Sequence, residues 1–105
     1  MATEPKKDAN SVEVDFDNVQ AAVWIKWDVK GGSDRTHQAN LDTDYALEGS
    51  PNIQGIEIRF GSPVNVRCYG SYPPSGTPNI ELHGPTNGKH KIDARRLGAY
   101  RVVRR

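Results

Sequence analysis

The chain has 105 residues, enough for one domain with a single core and too few for a second. Its 14 basic and 13 acidic residues leave a net charge of +1, which argues against a general attraction to nucleic acid or to an anionic membrane. Cys68 is the only cysteine, so no intrachain disulfide forms, and no apolar run approaches the ~20 residues of a spanning helix.

Met1 to Asn10 is polar and charged and contains Pro5. This pattern predicts a disordered lead-in without the apolar centre of a secretory signal. With the single cysteine, it predicts a cytoplasmic, reducing location. A domain is expected over 11–105.

Val12, Val14 and Phe16 alternate with Glu13, Asp15 and Asp17, the period of a half-buried strand with an acidic outer face. Val23, Ile25, Trp27 and Val29 alternate with Trp24, Lys26, Asp28 and Lys30 in the clearest strand of the chain. It ends at the turn cluster Gly31-Gly32-Ser33-Asp34. Residues 35–41 are polar and predict an edge strand anchored by Leu41. Thr43 to Leu47 is the one stretch expected to form a short helical turn.

Ile56, Ile58 and Phe60 predict a further strand. Gly61-Ser62-Pro63 then makes a tight corner into Val64, Val66 and Cys68. Gly70 to Pro78 holds three prolines and two glycines and is expected to be an irregular loop. Ile80 and Leu82 form a short strand ending at Gly84-Pro85-Thr86-Asn87-Gly88. The Asn-Gly pair predicts a hairpin, with Lys89 to Asp93 as the returning strand. Tyr100 to Val103 closes the chain. Roughly seven to nine strands with almost no helix predict a sandwich or small barrel.

The strands repeat. The opening strands 23-VWIKWDV-29 and 64-VNVRCYG-70 are each followed by a turn or loop rich in Gly or Pro. The closing strands 53-IQGIEIRF-60 and 97-LGAYRVVR-104 each carry a glycine, then an alternation that includes an arginine. Two units of roughly forty residues therefore tile residues 22–104.

This layout resembles the βγ-crystallin superfamily, in its single-domain microbial or fungal type. Its domains are two consecutive four-stranded Greek keys joined by a short corner. The residues that carry the resemblance are 27-WDVKGGS-33, 52-NIQGIEIRFGSPVNVRCYG-70 and 98-GAYRVVR-104, within units covering about four-fifths of the chain. The resemblance implies an all-β sandwich, with key one over about 11–61 and key two over about 62–105. The chain departs from the family where Trp27 runs into Gly31-Gly32 without a second aromatic, and where Tyr69, Tyr72 and Gly76 have altered spacing.

Many microbial relatives bind calcium through paired Asp/Asn residues followed by a hydroxyl. Here the corresponding stretches keep only Asn52 and Asp93, neither supplies the hydroxyl, and Arg95 and Arg96 repel a divalent cation. No high-affinity calcium site, no other cofactor and no catalytic residue are expected. Asp28, Asp34, Asp42 and Asp44 read as solvated turn acids. His83 and His90 flank the predicted hairpin and face each other across it in that arrangement. His37 is isolated in sequence, and Cys68 lies in line with the core.

The resemblance implies a stable, abundant, non-catalytic protein, in line with the near-balanced charge and the degenerate metal positions. One alternative is a protease inhibitor or antifungal toxin-like protein binding through the loop 71–76. Tyr69, Tyr72, Pro73 and Pro74 are its contact residues, and proline lowers the entropy lost on binding. Another is a small ribonuclease or lectin built on His83, Glu81 and Arg95 with scattered tyrosines. No nucleic-acid or membrane partner is expected, and weak protein association or self-association stays open.

Overall fold

A computed structural model describes residues 22–105. The lead-in over 1–10 and the strand expected at Val12 to Phe16 lie outside the described residues. Eight strands follow: β1 (Val23–Val29), β2 (Arg35–Ala39), β3 (Asp44–Ala46), β4 (Asn52–Arg59), β5 (Val64–Tyr69), β6 (Ile80–Gly84), β7 (His90–Arg96) and β8 (Ala99–Arg104). They form two four-stranded antiparallel sheets, ordered β2-β1-β4-β7 and β3-β8-β5-β6. There is no helix among the described residues, and hence none long and apolar enough to cross a membrane.

The alternation in the sequence sets the core. Val23, Ile25 and Trp27 of β1, Ile53, Ile56 and Ile58 of β4, Val64, Val66 and Cys68 of β5, and Tyr100 and Val102 of β8 are buried together. Their neighbours Lys26, Glu57, Arg67 and Arg101 stand on the outer faces, because successive strand residues point to opposite sides. One outer row crosses the whole second sheet as Asp44, Arg101, Arg67 and Glu81. Its two arginines each pair with an acid, Arg101 with Asp44 at 2.9 Å and Arg67 with Glu81 at 3.1 Å.

The two halves use the same plan. Adding four to each strand number turns the order β2-β1-β4 into β6-β5-β8, so the fourth strand of each unit lies beside its first. The third strand of each unit, β3 or β7, leaves to become an edge of the opposite sheet. Both crossings are anchored alike: Asp42 N–H donates to the Val102 carbonyl at 2.8 Å, and Thr86 N–H to the Ile58 carbonyl at 2.9 Å. Register makes Val102 and Ile58 counterparts, since they lie opposite Val66 and Ile25.

Two expectations are corrected by these crossings. The stretch Thr43 to Leu47 forms β3 and not a helical turn. An isolated helical turn fixes several residues for one hydrogen bond, whereas the open edge of β8 supplies ladder partners for Asp44, Tyr45 and Ala46. The Asn87-Gly88 pair does not close a β6–β7 hairpin, because β6 and β7 lie in different sheets. A two-residue hairpin of this type needs positive φ at both central residues. Gly88 has φ 75°, while Asn87 is not in that region. Thr86 also binds β4 through its side chain, accepting from Ile58 N–H at 3.0 Å, and this steers the chain onto the first sheet.

Candidate functional site

The most developed polar–aromatic cluster lies where the edge strands β2 and β3 meet. Trp27 of β1 and Tyr100 of β8 are core residues with ring centroids 5.0 Å apart. Tyr45 of β3 pairs with Tyr100 in register and stacks on it, at 5.4 Å and 24° between planes. His37 of β2 sits edge-on to Tyr45 at 4.6 Å and to Tyr100 at 5.9 Å. Asn40 N–H donates to the Tyr45 hydroxyl at 2.8 Å, tying the crossing loop to β3. Trp27, His37, Tyr45 and Tyr100 line a cleft of about 230 Å³ together with Arg35, Thr36, Ala46, Leu47 and Glu48.

The cluster's electrostatics follow from its burial. Burial pushes the Tyr100 phenol well above its ordinary range, with Tyr45 and Cys68 adding to the effect. The phenol therefore keeps its proton. Burial also lowers the His37 pKa below its ordinary 6.5, which favours the neutral ring. Tyr100 Oη and His37 Nδ1 are hydrogen-bonded. A neutral imidazole has one donor and one acceptor nitrogen. When the phenol donates to a bare Nδ1, the imidazole proton resides on Nε2. The buried Trp27 indole N–H has no hydrogen-bond acceptor among the described residues.

The residues singled out in sequence are dispersed. Asn52 opens β4 opposite Arg96, and Asp93 lies three residues before that arginine on β7. The two arginines occupy oxygens near both positions: Arg96 donates to the Ser50 carbonyl at 3.1 Å, and Arg95 to the Asp93 carbonyl at 3.3 Å. No group of three His, Cys, Asp or Glu residues is placed to hold a metal among the described residues. Asp28, Asp34 and Asp44 pair separately with Lys89 at 2.8 Å, Lys26 at 3.7 Å and Arg101 at 2.9 Å. The bond from Lys89, with one from Gln54, holds the Asp28 carboxyl below the usual range. Asp42 is a turn residue with φ 56°.

His83 and His90 do not face each other. His83 lies opposite Asn65 in one sheet, and His90 opposite Ile56 in the other. Glu81 binds Arg67 and Asn65, and Arg95 reaches Asn79, so His83, Glu81 and Arg95 share no hydrogen bond. Cys68 is buried on the core face, and burial pushes its thiol up to about 12, which leaves it protonated and unreactive.

Of the predicted contact residues, Tyr72 is the one large hydrophobic residue exposed among the described residues, at 55%. Pro73 is exposed, while Tyr69 and Pro74 are half-buried. Tyr72 and Ser71 border a cavity shared with the 46–50 loop. Trp24 is covered by Arg59, whose guanidinium lies 4.5 Å from the ring centroid.

Sequence reasoning missed Tyr45, Arg35 and the pairing of His37 with Tyr100. Arg35 and His37, two apart on one strand, carried the signal of a shared face. The expected helical turn at 43–47 hid Tyr45. No protein-family model matches the chain, and no curated protein or solved structure matches it.

Proposed function

We propose that the chain is a double Greek-key domain of the βγ-crystallin type that serves as a stable, non-catalytic protein without a high-affinity calcium site. The observation that carries this reading is the doubled topology. In each unit the fourth strand returns beside the first, one feature of a Greek key. The corner Gly61-Ser62-Pro63 then leads β4 directly into β5. Non-catalytic use is supported by the candidate groups themselves: Asp28 on β1, Asp44 on β3 and Asp34 are taken up in ion pairs, and the only thiol is buried. The absence of a tight calcium site is supported by Arg95 and Arg96, which fill backbone oxygens near Asp93 and Asn52.

The test is thermal unfolding with and without millimolar calcium, alongside an amide NMR titration. A ligand that binds only the folded state raises its stability, so an unchanged midpoint is expected. Saturable shifts at 50–55 or 93–98 with a raised midpoint overturn the metal-free reading. The exposure of Tyr72 favours one second reading, a binding protein that uses the loop 71–76. A partner whose capture is lost in Tyr72→Ala would establish it.

A further inference from the structure

The cleft between β2 and β3 has chemistry that the repeat itself does not call for. Register makes Leu82 of β6 the counterpart of His37, because Leu82 lies opposite Val66 as His37 lies opposite Ile25. In the same way Cys68 answers to Trp27, and Ile56 to Tyr100. The β6–β7 edge is filled by these apolar side chains, with the exposed His90 at the place that answers to Tyr45. The β2–β3 edge gathers an imidazole, two phenols and an indole, although a polar group near a core costs free energy unless it is hydrogen-bonded.

The arrangement also has a direction. When the Tyr100 phenol donates to Nδ1 of His37, Nε2 carries the ring proton and is left as a donor. Arg35 leaves β2 on the same face and lines the same cleft, as does one acid, Glu48. A guanidinium and an imidazole N–H placed together suit a carboxylate, because charge-assisted hydrogen bonds are the stronger ones. The half-buried Tyr45, with Leu47 and Ala46, supplies a wall for a flat apolar body. At about 230 Å³ the cleft is smaller than the roughly 300–1,000 Å³ of drug-sized sites, which restricts the body to one ring.

We infer that this cleft binds a monocyclic aromatic carboxylate, with the carboxylate on Arg35 and His37 and the ring against Tyr45. The site uses no residue of the calcium-type positions, so it stands or falls separately from the proposed family.

The experiment titrates the full chain with benzoate, followed by amide and indole NMR at neutral pH. Benzyl alcohol and acetate serve as probes lacking the carboxylate or the ring. Saturable shifts are expected at Arg35 to His37, Tyr45 to Leu47, Tyr100 and the Trp27 indole, with both partial probes weaker. Arg35→Met is expected to weaken benzoate about tenfold or more, the worth of one charge-assisted hydrogen bond. His37→Leu restores the residue type found in the second unit, keeps the core amide shifts and loses the site. Non-saturating shifts, equal binding of benzyl alcohol, or unchanged benzoate affinity in folded His37→Leu would each overturn the assignment.

Discussion

The two edges at which the sheets exchange strands are built by one topology and filled by different chemistry. At β6 and β7 the inner position is Leu82, backed by Cys68 and Ile56, with the exposed His90 of β7 opposite Ile56. At β2 and β3 it is His37, backed by Trp27 and Tyr100, with Tyr45 stacked outside. A strand order tolerates either filling because ladder hydrogen bonds involve the backbone alone. Side chains then decide whether an edge is closed by dispersion or by a hydrogen-bonded aromatic cluster. The difference locates the place where the molecule departs from its own repeat.

The largest effect that sharpens this comparison belongs to the indole. Trp27→Ala removes a fully buried ring and is expected to cost ~3–5 kcal/mol in urea unfolding. Cys68→Ala, at the corresponding place, removes one atom and is expected to cost about 1 kcal/mol. Equal costs would break the account of an aromatic edge and an apolar edge.

Next comes the small pair that closes the strand ends. Ala39 lies opposite Val23, and its counterpart Gly84 lies opposite Val64. A Cβ on Gly84 would meet Ile58 Cγ2 at 2.5 Å, so Gly84→Ala is expected to overpack the core at ~1–3 kcal/mol. Ala39→Gly is expected to cost less, about 1 kcal/mol. Thermal unfolding of both variants checks the order.

The histidine supplies a smaller, pH-dependent effect. Its folded pKa lies below the ordinary 6.5, so the unfolded chain takes up the proton first. Stability is therefore full above that ordinary value and falls as pH drops through it, until the folded ring also protonates. Wild type is expected to lose stability between neutral pH and pH about 5, and His37→Leu to lose less over the same range. Urea midpoints at both pH values decide this. The smallest effect is that of Asp44→Asn on the outer face of β3, expected at ~0.2–1 kcal/mol because an exposed ion pair contributes little.

Much of the fold was legible because its strands alternate strictly. Val23 to Val29, Ile56 to Phe60 and Val64 to Cys68 announce their buried faces, and Gly61-Ser62-Pro63 announces the corner. The crossings were not legible. Asn87-Gly88 reads locally as a hairpin, whereas the binding of Thr86 to Ile58 and the β4–β7 ladder, both far away in sequence, hold the chain on the other sheet. β3 is three residues long, too short for its period to register, and its structure comes from the edge of β8. The cleft was hidden for the same reason: His37, Tyr45 and Tyr100 come from three strands, and only sheet pairing brings them together.

The exchange of third strands is the claim on which both edges depend, and an isotope-edited NOE experiment on the full chain tests it most directly. Backbone NOEs are expected between Ile56 and His90 and between Tyr45 and Tyr100, with His37 ring protons close to both tyrosines. Cross-strand NOEs between His83 and His90, the signature of a simple β6–β7 hairpin, would contradict it.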